Sequence, residues 1–169
     1  MNSAKLLYTL LNVLFILILC SIGISILFAI LIAVGIEPTS ITTGSEIRHH
    51  LDDPILYVFG GLLLLVYGIF CFGIWNLRKA ASIFLNENFY TAAVIKTLAL
   101  AGKSFVLTGI FAWLVDGLSG IYFKGEISLS LSDKTFTYLF ITSVGLFMML
   151  MSTVIKDAKN LKNENDLTI

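Results

Sequence analysis

From Leu6 to Ile36 the chain carries no charged residue. A helix needs about 20 apolar residues to cross a bilayer, so this run is longer than one crossing requires, and its helix must tilt or project. A water-soluble fold of 169 residues could not hide such a stretch among three others like it. Only 13% of residues are charged, against about a quarter in ordinary soluble domains, and mean hydropathy is +0.93. The solvent for most of this chain is therefore lipid. Lys5 gives the run the start of a secretory signal, but the apolar stretch is too long and no A-x-A site follows. Leu19 stands before Cys20 where a lipoprotein site needs a small residue. The run reads as an uncleaved first transmembrane helix over 6–36.

Three further apolar runs complete the pattern. The second covers 55–75, and its helix continues to about residue 85 before the asparagines of NENFYT break it. The third covers 98–122, with a helix starting at about residue 92 behind Thr91 as N-cap. The fourth covers 135–155, capped by Ser132 or Asp133. The fold class expected is an all-α membrane protein, a single domain of four transmembrane helices in two antiparallel hairpins. A polar elbow over 76–97 joins the hairpins, and a tail follows over 156–169. Small residues should let backbones approach: Ser21, Ser25, Ala29 and Ala33 along the first helix, and Gly60, Gly61, Gly68 and Gly73 along the second. Met148, Met149 and Met151 read as adaptable packing residues.

Charge sets the expected orientation. Lys5, Arg78, Lys79, Lys96, Lys103, Lys156, Lys159 and Lys162 lie with the N-terminus, elbow and tail, whereas Arg48, Lys124 and Lys134 lie in the other two loops. Eight against three is a positive-inside bias. It places both termini and the elbow in the cytoplasm of a cell whose cytoplasmic (inner) membrane the chain crosses four times. Trp75 falls where an interfacial aromatic belongs.

The outer segments hold fewer signals. Ile127, Leu129 and Leu131 alternate with Ser128, Ser130 and Ser132, a period-two strand pattern. Its only pairing partner on that side is the first loop near 40–43, so a small extracytoplasmic two-stranded β cap is expected. His49, His50, Asp52 and Asp53 raise metal and pH-sensing readings. Adjacent histidines diverge, however, and no third ligand group accompanies them, so a solvated loop is the simpler reading and no metal site is assigned. Cys20 and Cys71 fall at different depths, which disfavours a disulfide and redox chemistry. Asp116 is the one acid within a span and so a candidate intramembrane polar site, with Arg48 and Lys124 as candidate partners.

The central NENFYTAAVIKTLALAG, the long span after it and the ending LKNENDLTI resemble a bacterial membrane family, domain of unknown function 2975. Phe89, Thr91, Leu98 and Gly102 fit its central pattern, and Leu161 with residues Glu164 to Ile169 fits its acidic tail. Tyr90 after Phe89, and Lys96 in place of an arginine near Leu98, depart from it. The resemblance implies four spans and no assigned activity. It also implies companionship with small helix-turn-helix repressors encoded nearby.

No catalytic triad set, phosphate loop or two-metal cluster is present, so neither an enzyme nor a cofactor is expected. A zero formal charge argues against direct nucleic-acid binding. The reading favoured is a non-enzymatic interaction or regulatory protein that engages a cytosolic partner. Its candidate docking residues are Arg78, Lys79, Asn88, Phe89, Tyr90, Thr91, Asp166 and Leu167. The partners expected are the bilayer, a cytosolic regulatory protein and further copies of the chain. An immunity or stress-sensing protein acting through its outer loops is one alternative. A subunit of a small transporter or channel is another, and it would need oligomerisation to form a pore.

Overall fold

The computed structural model describes residues 2–33, 54–86, 91–124 and 133–166. They form four helices: α1 (Asn2–Ala33), α2 (Pro54–Asn86), α3 (Ala92–Lys124) and α4 (Asp133–Asp166). All four are long and apolar enough to cross a membrane. The protein is a multi-pass membrane protein. No strand occurs among the described residues. The segments expected to pair as a β cap, 40–43 and 127–132, lie outside them, as do the His49–Asp53 loop and Arg48.

At 1.5 Å per residue each helix is about 50 Å long, while the hydrocarbon of a bilayer is about 30 Å thick. At one end of the array three helices run well beyond the expected spans 55–75, 98–122 and 135–155. There α2 runs eleven residues past Trp75 to Asn86, α3 starts eleven residues before Lys103, and α4 runs eleven residues past Ile155 to Asp166. This is the end that carries Arg78, Lys79, Lys96, Lys103, Lys156, Lys159 and Lys162, and it is called the basic end below.

The helices stand in chain order: α1 packs on α2, α2 on α3, and α3 on α4. α1 and α4 do not close the array into a bundle. Phe59 meets Phe123 with ring centroids 5.7 Å apart. Val66 clusters with Ala112 and Val115, and Phe70 meets Phe105 at 5.4 Å. That progression is the register of an antiparallel pair held over the whole of α2 and α3. α3 and α4 are antiparallel as well, from Ser152 Oγ donating to the Ile95 carbonyl at 2.8 Å to Lys134 beside Asp116.

The close helix contacts differ from the expected ones. A Cβ on Gly102 would lie 2.7 Å from the Gly145 carbonyl oxygen, and one on Gly145 would lie 2.8 Å from the Val106 nitrogen. A Cβ on Gly109 would collide with Thr142 Oγ1 and the Tyr138 carbonyl. The two backbones of α3 and α4 thus touch, which only glycine permits. On α2, Gly73 alone packs, against Phe105 and Ser104 of α3, while nothing lies within 4 Å of a Cβ at Gly60, Gly61 or Gly68. Ser21, Ser25 and Ala29 of α1 are exposed. α1 is held instead by Leu11 and Phe15 near its start. Small residues at helical spacing permit close approach but do not compel it, because association in lipid has no hydrophobic drive of its own.

Candidate functional site

The basic end is the best-packed region of the molecule. Ala80 of α2 is 1% exposed, and Val94 and Ala101 of α3 are 0% exposed. Ala81, Leu98 and Ser152 are buried near them. Small side chains on α2 and α3 let the helices pack closely here. The buried Thr97 hydroxyl returns to its own helix, bonding the Ala93 carbonyl at 2.8 Å. The buried Asn76 amide bonds the Phe72 carbonyl at 2.8 Å. The result is a closely packed three-helix end of the array.

Arg78 ties α1 to this end. Its guanidinium carbon lies 5.6 Å from the centroid of the Phe15 ring and 5.8 Å from that of Trp75. The two rings are themselves 5.4 Å apart. Both faces offer a cation–π attraction. The Tyr8 hydroxyl meets Arg78 and the Asn12 side chain in the same cluster, and Asn12 Oδ1 is buried without a hydrogen-bond partner among the described residues. Arg78 is therefore half-buried and engaged within the chain, which leaves Lys79, exposed beside it, as the freer cation. Thr91 begins α3 through its backbone: its carbonyl accepts from the Ile95 nitrogen at 3.3 Å. The expected side-chain cap is not made, since Thr91 Oγ1 is buried without a partner among the described residues. Asn88, Phe89, Tyr90 and Leu167 lie outside the described residues. Asp166 is the last residue of α4.

At the opposite end Asp116 pairs with Lys134 of α4, Oδ1 to Nζ 3.2 Å, with the side chains 36% and 69% exposed. Lys134 sits in the first turn of α4, across from Asp116 once the glycine-led register of α3 and α4 is set; Arg48 and the Lys124 side chain lie outside what the structure describes. Tyr138 stands within range of both charges. Both side chains are open at the surface of the helix array, and the contact ties α3 to α4.

The spans hold no polar path among the described residues. Ser104 and Thr108 bond the Leu100 and Ser104 carbonyls of their own helix at 2.9 and 2.8 Å. Cys20 and Cys71 are free thiols. No group of three metal-ligating side chains occurs among the described residues.

A family model described as a protein of unknown function (DUF2975) matches residues 37–169. The chain belongs to this family. The match takes in α2, α3 and α4 and begins after α1, so the DUF2975 region coincides with the three helices that pack closely. No curated protein and no solved structure matches the chain.

Proposed function

We propose that this DUF2975 protein is a non-enzymatic membrane interaction protein that holds a cytosolic regulatory protein at its basic end. The observation that carries the reading is the near-complete burial of Ala80, Val94 and Ala101 in helices that overrun the bilayer. A chain that only needed to turn around could do so with a short loop at the headgroups. A packed projection instead offers a rigid surface outside the lipid, and preordering of that kind lowers the entropic cost of binding. The positive-inside bias puts this surface in the cytoplasm. Lys79 and Thr91 lie at this end, and Asn88, Phe89, Tyr90, Asp166 and Leu167 are its further candidate contacts. The family resemblance points to a small helix-turn-helix regulator as the partner.

The test is co-purification from native membranes with the regulator encoded by the adjacent reading frame. The full chain is compared with a chain ending at Lys162 and with Phe89→Ala. Capture by the full chain, and its loss in either variant, is the expected result. Failure of the full chain to retain that regulator sinks the reading. Orientation is checked separately with a single cysteine at Ser128, which a membrane-impermeant thiol reagent should label on intact cells.

A further inference from the structure

A groove of about 610 Å³ runs between α2 and α3 on the face that neither α1 nor α4 covers. Leu65, Gly68, Ile69 and Phe72 form its α2 wall. They recur at helical spacing, and Gly68 leaves it open, with nothing within 4 Å of where a Cβ would stand. Leu100 and Leu107 supply apolar contacts from α3, with Lys103 between them. Lys103 is exposed into this space and pairs with no carboxylate among the described residues.

Depth separates the two parts of the groove. Gly73 packs on Ser104 and Phe105, so Lys103 lies level with the turn of α2 that carries Trp75, the aromatic that the sequence assigns to the membrane interface. From Phe72 to Leu65 the apolar wall descends about 10 Å toward the bilayer centre, at 1.5 Å per residue. A cation at headgroup level above an apolar channel of that length matches one amphiphile: an anionic phospholipid. Its phosphate would meet the Lys103 ammonium, and one acyl chain would lie along Gly68.

We propose that the α2–α3 groove is a binding site for an anionic phospholipid, with Lys103 as its headgroup contact and Gly68 as the opening for its chain. A second copy of the protein is the competing occupant. A two-fold interface through this groove would set Lys103 against its own counterpart, with no described carboxylate to offset the repulsion. Charge complementarity therefore favours the lipid. The proposal stands apart from the partner reading, since the groove faces the bilayer and not the projecting surface.

The test is native mass spectrometry of the full chain released from detergent after equilibration with equal amounts of phosphatidylglycerol and phosphatidylcholine. The wild-type chain should retain phosphatidylglycerol in preference. Lys103→Ala should lower that preference about five-fold, the effect of one basic residue near an anionic headgroup, and Lys103→Arg should restore it. Gly68→Leu has room for its side chain, so it should fold, fill the channel and reduce retention of both lipids. Lys159→Ala, a basic residue outside the groove, should leave the ratio unchanged. The proposal is overturned if Lys103→Ala leaves the ratio at the wild-type value, or if Lys159→Ala lowers it equally. A dimer that Gly68→Leu disrupts, with lipid retention unaffected, would assign the groove to a second copy and overturn it as well.

Discussion

α1 and α3 differ by one residue in length, yet half of the spanning window of α3 is buried within the protein and only 6% of that of α1. α1 is the more apolar of the two. In water the more apolar helix would be the more buried. In a bilayer lipid satisfies an apolar helix as well as another helix does, so packing goes to the helix that offers close backbone approach and interhelical hydrogen bonds. α3 supplies both, through Gly102 and Gly109 against α4 and through the Ile95 carbonyl that accepts from Ser152. α1 has small residues too, but its hold on α2 comes from Leu11, Phe15 and the Arg78 cluster.

The largest test of this contrast is a matched pair of glycine substitutions. Gly102→Leu must displace the α4 backbone and should cost about 3 kcal/mol or more, read as loss of folded protein in detergent-driven unfolding. Gly23→Leu on α1 meets nothing within 4 Å and should be neutral, or stabilising by up to about 1 kcal/mol from helix propensity. Equal effects at the two sites would break the comparison.

Next in size is Val94→Ala. Among the described residues Val94 is the one large side chain below 2% exposure. Its truncation should cost about 2 kcal/mol, measured by thermal unfolding. A cost close to zero would show that the basic end is looser than its burial indicates.

Arg78→Ala should act on α1 alone. Loss of its two ring contacts is worth about 1 kcal/mol, so hydrogen exchange at the start of α1 should rise about five-fold while that of α3 stays unchanged. A rise across all four helices would mean that Arg78 supports the array and not just the first helix. The smallest effect belongs to Asp116→Asn. An exposed pair of this kind contributes less than about 0.5 kcal/mol, so unfolding should barely move. A large shift would point to a desolvated carboxylate.

Much of the layout was legible because it depends on one-dimensional quantities. The charge-free run before Glu37 and the polar NENFYT break mark helices and boundaries by composition alone. The overrun of α2 past Trp75 was legible for the same reason, since no breaker intervenes before Asn86. The choice among small residues was not. Gly68 and Gly102 look alike in a sequence, but one borders an open groove and the other touches a facing backbone. Lys134, read from the sequence as a loop residue, was not among the candidate partners of Asp116. Its position beside Asp116 follows only from the α3–α4 register. No sequence signal marked Lys103 as different from the other basic residues either. Its place between Leu100 and Leu107 is visible only once α2 stands beside α3.

By itself, the sequence determined that this protein crosses a membrane, how many helices do so, and where the basic residues gather. Those properties are transfer free energies and charge counts, which sum along the chain. Only the tertiary structure decided that α3 is the most buried of the four helices, that α1 stands at the margin, and that the basic end is closely packed. These depend on which backbones can approach within van der Waals contact. Lipid imposes no hydrophobic preference among helices, so that choice is left to the fit of particular glycines and hydroxyls.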